Sequence, residues 1–133
     1  MEWNTIYRQI NIMNITTSIS EINKILIDYR GEQAKIWMFD ISHTKLAIKV
    51  YSKENQEIIY LIILGCKYLK GFFSLNNPKF YVIQYYNIKT SETILKLMDE
   101  NSDFELNSTA GIALAKGLEQ EFGDSFENFL MDK

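Results

Sequence analysis

One proline, one cysteine and one histidine occur in the 133 residues, and each scarcity closes off a class of protein. A single cysteine, Cys66, cannot form an intrachain disulfide. The chain is therefore not a disulfide-stapled secreted domain, and a reducing cytoplasm is the expected compartment. One cysteine and one histidine, His43, cannot assemble a structural zinc site of Cys and His ligands. Pro78 and six glycines are too few for a collagen-like or low-complexity chain. Long apolar runs are missing too. The longest, Ile58 to Cys66, is about half of the ~20 residues a spanning helix needs. It reads as a buried strand, and no membrane association is expected. The N-terminus lacks a basic cluster followed by an apolar run, so it does not read as a signal peptide. No lipidation pattern is visible at either end. There is no G-x-S-x-G, no phosphate-cradling glycine loop with lysine and no dinucleotide fingerprint. No catalytic residue, metal or cofactor is assigned from these patterns.

What remains is ordinary globular composition, 47% hydrophobic and 23% charged, which excludes a disordered chain. The length suits a single domain, 1–133, with enough residues to bury a core unaided. Ile/Asn/Lys-rich usage suggests an AT-rich genome, and a bacterial source is expected.

Trp3, Ile6, Tyr7, Ile10 and Met13 keep helical spacing and predict an N-terminal helix. Ser18 and Glu21 then form a capping-box pattern. Ile19, Ile22, Ile25, Leu26 and Tyr29 share the face of a second helix, with Gly31 placed as a left-handed cap. From Gln33 the period changes to two. Ala34 to Asp40 and Lys45 to Tyr51 read as a hairpin, and Glu57 to Cys66 as a central strand. Tyr68 to Leu75 reads as a strand broken at Gly71, Asn76-Asn77-Pro78 as a turn, and Lys79 to Asn87 as another strand. Thr93 to Met98 fits either a short helix or a hairpin with Phe104 to Asn107; the alternation Phe104-Glu105-Leu106 favours the hairpin. Ile112, Ala115, Leu118 and Phe122 predict a C-terminal helix, with a further turn or two over Phe126 to Met131. Helices, then consecutive strands, then helices imply an α+β domain. The expected architecture is an antiparallel meander sheet of about five to seven strands, with N-terminal and C-terminal helices packed against it.

Charge is uneven. Residues 1–34 carry a net −1, residues 35–90 a net +5 and residues 91–133 a net −7. The basic middle also holds eleven of the eighteen aromatic residues. Lysines beside aromatics suit single-stranded nucleic acid, where cations neutralise phosphates and rings stack on bases. The plainer explanation is internal: an acidic tail beside a basic sheet, with the aromatics in the core. An acidic chain also repels phosphate at long range, so nucleic acid is the less expected partner.

Three local patterns invite a chemical reading. Lys70-Gly71-Phe72 partly resembles the central-strand signature of RNA-recognition-motif domains. Phe73 and Ser74 then depart from it, and no helix precedes this strand where that fold has one. The plainer reading is a bent strand with a bulge at Gly71. Asp99, Asn101, Asp103 and Glu105 have the spacing of the first ligands of a calcium loop. The sixth and twelfth positions are Phe104 and Ala110 instead of Gly and Glu, which favours a solvated loop. Cys66 and His43 are the candidates for a nucleophile and base, should the two strands bring them together. The alternative is a small core thiol for Cys66 and a polar turn residue bonded to Asp40 for His43.

The aromatics carry the remaining signal. Tyr81, Ile83 and Tyr85 lie on one face of a strand, and Phe80, Val82, Gln84 and Tyr86 on the other. Both faces are apolar, so one is either covered by a second layer or makes an interface. Tyrosine suits interfaces, where the ring buries and the hydroxyl stays hydrogen-bonded. Trp37, His43, Tyr81 and Tyr85 are the binding candidates. The profile (small, cytoplasmic, acidic, α+β, without catalytic motifs) resembles toxin-neutralising immunity proteins and many bacterial domains, in profile only and with no shared motif; an immunity-like or adaptor-like role is the expectation. The leading expectation is a non-enzymatic module that binds a protein partner or a second copy, through the aromatic sheet face or the acidic C-terminal region. A single-stranded nucleic-acid binder is second, and an enzyme using Cys66 and His43 third.

Overall fold

The computed structural model describes residues 14–29 and 31–119. Among these the chain forms one helix and ten strands. In order they are β1 (Asn14–Thr16), α1 (Ile19–Asp28), β2 (Gln33–Asp40), β3 (Lys45–Ser52), β4 (Asn55–Leu64), β5 (Tyr68–Lys70), β6 (Ser74–Asn76), β7 (Phe80–Asn87), β8 (Glu92–Asp99), β9 (Glu105–Ser108) and β10 (Gly111–Leu118). They build two antiparallel sheets. The larger has the order β1-β10-β4-β3-β2-β6, and the smaller β5-β9-β8-β7.

This corrects the expected α+β meander with terminal helices. The described chain is mostly sheet, and its strands belong to two sheets. The main reason lies in β10, which the helical spacing of Ile112, Ala115 and Leu118 had marked as a helix. β10 pairs along its whole length with β4, from Gly111 opposite Leu64 to Leu118 opposite Glu57, and with β1 on its other side. Ile112 and Leu114 join one core cluster, and Ala113 and Ala115 another. A strand buried on both faces is a continuous apolar run, and such a run matches a helical template as well as a strand. Long-range pairing then overrides the helix propensity of alanine. The expected helices over Trp3 to Met13 and Phe126 to Met131 lie outside the described residues.

The second predicted helix is α1, and its start is built as its sequence implies. Glu21 N–H donates to Ser18 Oγ at 3.4 Å. The reciprocal half of the box is replaced: Glu21 Oε1 accepts from Thr16 Oγ1 at 2.6 Å. The helix ends at Tyr29, whose backbone is extended. Gly31 is thus not the expected left-handed cap, and its φ is not among the positive ones. Gly31 serves close approach instead, since a Cβ there would stand 2.5 Å from Val50 Cγ1. Gly31→Ala is expected to lower stability by about 1–3 kcal/mol through overpacking. Urea unfolding of the single and Val50→Ala double variants checks this, the double losing less than the sum because the two share one space.

The β2–β3 hairpin, β7 and the β8–β9 hairpin fall where their alternation placed them, and central β4 where its continuous apolar run did, two residues earlier than Glu57 to Cys66. The stretch from Tyr68 to Leu75 does not form one broken strand. β5 pairs with β9 in the smaller sheet, and β6 pairs with β2 in the larger. Gly71, at φ 132°, makes the crossing, where a Cβ would meet Phe104 at 2.9 Å.

The two sheets face each other across a core of Leu46, Ile48, Ile59, Leu61, Ile63 and Leu114 from one side and Phe80, Val82, Leu97 and Leu106 from the other, closed by Ile22 and Tyr29. The opposite face of the larger sheet carries a second apolar cluster of Ala47, Ile58, Tyr60, Ile62, Ala113 and Ala115. Burial, reinforced by Glu57 and Glu32, pushes the Tyr29 phenol up to about 12. Burial, with Glu119 adding to it, does the same for Tyr60. Both pKa values are raised above the ordinary 10.0. The protonated phenols therefore contribute stability that is complete below pH 10 and is lost as pH rises toward about 12. A pH series of urea midpoints should fall across that window, and less steeply in Tyr29→Phe.

Candidate interaction surface

The smaller sheet has one face against the core and one away from it. Phe80, Val82, Leu97 and Leu106 face inward and are buried. Alternation then sends Tyr81, Ile83 and Tyr85 of β7 outward. Register places Met98, Lys96 and Ile94 beside them, then Glu105 and Asn107, then Lys70 and Tyr68. Tyr68, Ile83 and Tyr85 remain 47%, 42% and 37% exposed. Three aromatic or branched side chains left open on one face of a folded sheet form the surface of interest.

Its centre is Lys96. The ammonium donates to Glu105 Oε2 at 2.6 Å and lies 5.2 Å from the centre of the Tyr85 ring. The bond to Glu105 raises the lysine pKa above its ordinary value against a smaller opposing effect of desolvation. The cation is thus held by a carboxylate and a ring, with a second tyrosine, Tyr68, also contributing a favourable field. Beside it, Asn107 Oδ1 is buried and has no hydrogen-bond partner.

The structure brings Tyr81 and Tyr85 together and separates the other two binding candidates from them. Trp37 belongs to the larger sheet, half-buried against the second cluster, with its ring centre 4.7 Å from that of Tyr60. His43 sits in the β2–β3 turn, its side chain 68% exposed, with Nδ1 3.0 Å from Asp40 Oδ2. That contact holds the Asp40 carboxyl below its usual range.

The remaining sequence patterns resolve into structural roles. Cys66 N–H donates to the Thr44 carbonyl at 2.8 Å, one residue from His43. The Cys66 thiol points elsewhere, toward the Tyr68 carbonyl at 3.8 Å, and burial pushes its pKa up. Thiol and imidazole therefore take different partners. Lys70 to Leu75 spans the crossing between sheets, with Phe72 78% and Phe73 69% exposed, and is not a central strand. Asp99 is buried, and its oxygens accept from Lys79 N–H (2.7 Å), Asn101 N–H (3.2 Å) and Ser102 Oγ (2.6 Å), which occupies them internally. Among the described residues no three His, Cys, Asp or Glu side chains cluster as metal ligands would. None of the described helices is long and apolar enough to cross a membrane.

Lys96 and Asn107 were missed in the sequence, and Glu105 stood there only as a possible calcium ligand. The signal was present: the favoured β8–β9 hairpin, taken with alternation, sets Lys96 between Ile94 and Met98 on the face of Tyr85. Asn23, which proves to hold the β7 edge, gave no signal. No protein-family model matches the chain, and neither a curated protein nor a solved structure is similar to it.

Proposed function

We propose that this chain is a non-enzymatic protein-interaction module whose contact surface is the outer face of the smaller sheet. The observation that carries the reading is the Lys96–Glu105–Tyr85 arrangement at the centre of an exposed tyrosine face. A partner can cover this lysine without burying an unpaired charge, because its countercharge is already in place. Tyr68, Ile83 and Tyr85 around it supply apolar area and hydroxyls, the composition favoured at interface centres. The same arrangement disfavours the nucleic-acid alternative. Phosphate binding needs lysines free to neutralise it, whereas Lys96 is engaged and Glu105 repels anions.

The test puts a photo-crosslinking phenylalanine analogue at position 85, 68 or 53 of the full chain in cells of its source. The same protein adduct from positions 85 and 68, absent from the exposed turn position 53, is the expected result. Nucleic-acid adducts, or equal yields from all three positions, would contradict it.

A further inference from the structure

The edge of the smaller sheet is treated unequally along its length. β7 is an edge strand, with β8 on one side only. The main-chain groups of Val82 point to the open side and are both taken by one side chain of α1: Val82 N–H donates to Asn23 Oδ1 at 2.7 Å, and Asn23 Nδ2 donates to the Val82 carbonyl at 2.9 Å. An amide side chain here stands in for a neighbouring strand. Alternation sends the main-chain groups of Gln84 and Tyr86 to the same side. Among the described residues nothing pairs with them. Tyr86 and the following Ile88 are 58% and 81% exposed.

A groove opens beside this unpaired stretch. It has a volume of about 390 Å³ and runs between the two sheets, lined by Ile19, Gln84, Thr93, Leu95 and Ile112. Gln84 belongs to both features. A strand laid along β7 past Val82 would hydrogen-bond to Gln84 and Tyr86 and turn alternate side chains into the groove. Charge narrows the occupant. Phe80 to Ile88 carries no charged side chain. Lys89 follows it, exposed and without an ion pair among the described residues.

We infer that the β7 edge from Gln84 to Asn87 takes an extended segment of a partner protein as an added strand. The segment has apolar residues at alternate positions, one of which fills the groove, and an acidic residue that meets Lys89. This rests on the reading of the smaller sheet as the interaction surface, and gives the partner its form.

The probe is a displayed library of random twelve-residue peptides, selected against the full chain. Peptides with alternating apolar residues and an acidic end are the expected selection. Tyr86→Pro should weaken them by about tenfold or more, the worth of one main-chain hydrogen bond left unmade. Proline is tolerated there because the lost N–H faces the open edge. Thr93→Trp, which fills the groove from its exposed rim, should weaken them as much and serves if the proline variant fails to fold. Selection of no peptide, or of peptides indifferent to both variants, overturns the inference. So does a dimer of the chain that Tyr86→Pro dissolves, since the occupant is then a second copy. Tyr68→Ser separates the two readings. If it abolishes binding while Tyr86→Pro and Thr93→Trp do not, the tyrosine face stands and strand addition falls. If the edge variants abolish binding and Tyr68→Ser does not, strand addition stands and the wider face falls.

Discussion

Leu61→Ala is expected to remove about 2–5 kcal/mol of stability, a large part of the total for a domain of this size. Leu61 is fully buried in β4, between β3 and β10, with its side chain between the two sheets. Truncation removes apolar atoms from the point where both layers meet. Strands hydrogen-bonded on both sides cannot shift to close the cavity, so the cost should approach the upper part of that range. Urea unfolding gives the value. Leu69→Ala is the comparison, because Leu69 is only partly buried, at the margin of the same cluster. The loss at position 61 should be at least twice as large.

Asp99→Ala should cost about 2–4 kcal/mol, an effect of hydrogen bonding with little apolar packing behind it. Asp99 is only 4% exposed, and among the described residues it belongs to no cluster of three side chains that could hold a metal ion. Its carboxyl oxygens accept from Lys79 N–H, Asn101 N–H and Ser102 Oγ, tying the start of β7 to the turn after β8. Alanine would leave these donors unmet. Asp99→Asn keeps the acceptor oxygen and should lose less than half as much. Thermal unfolding and amide exchange at Lys79 and Asn101 check both variants. Calcium should shift the midpoint of neither the parent nor the Asn variant, because these oxygens already have partners.

Much of the fold was legible where one face of a strand differs from the other. In β3, Leu46, Ile48 and Val50 alternate with Ala47 and Lys49, and the structure puts the first set between the sheets. The Phe104-Glu105-Leu106 alternation likewise marked β9. Of the two strands apolar on both faces, isoleucine-rich β4 was still read as a strand and alanine-containing β10 was not. In β10 both faces are buried, so its pattern could not distinguish strand from helix, and its partner β4 lies far away in sequence. The division into two sheets was hidden for another reason. It depends on Gly71 turning between β5 and β6, and a glycine inside a strand-like run signals a bend without telling its direction. At the interaction surface, Tyr81 and Tyr85 were legible from alternation alone. Trp37 was grouped with them because aromatic character does not reveal which sheet a strand will join. Glu105 entered as a possible calcium ligand, and only its register beside Met98 reveals it as the partner of Lys96.

The charge asymmetry has a partly internal explanation. Glu119, the last described carboxylate of the acidic segment 91–133, pairs with Lys49 of the basic middle at 3.0 Å. Glu57 and Lys116, 3.8 Å apart across β4 and β10, join the same two segments in the opposite sense, an acid of the middle with a base of the tail. These pairs have exposed members and contribute little to stability.

The proposed function requires Tyr68, Ile83 and Tyr85 of the smaller sheet to stand open on the folded chain, outside any core, although Ile94 beside Tyr85 is buried. Urea unfolding of Tyr85→Ser and of the Ile83→Ser, Tyr85→Ser double variant tests it most directly. A loss of no more than about 1 kcal/mol is expected at each position, as for exposed substitutions. A loss of about 3 kcal/mol or more at either position would place these side chains in a core and contradict it.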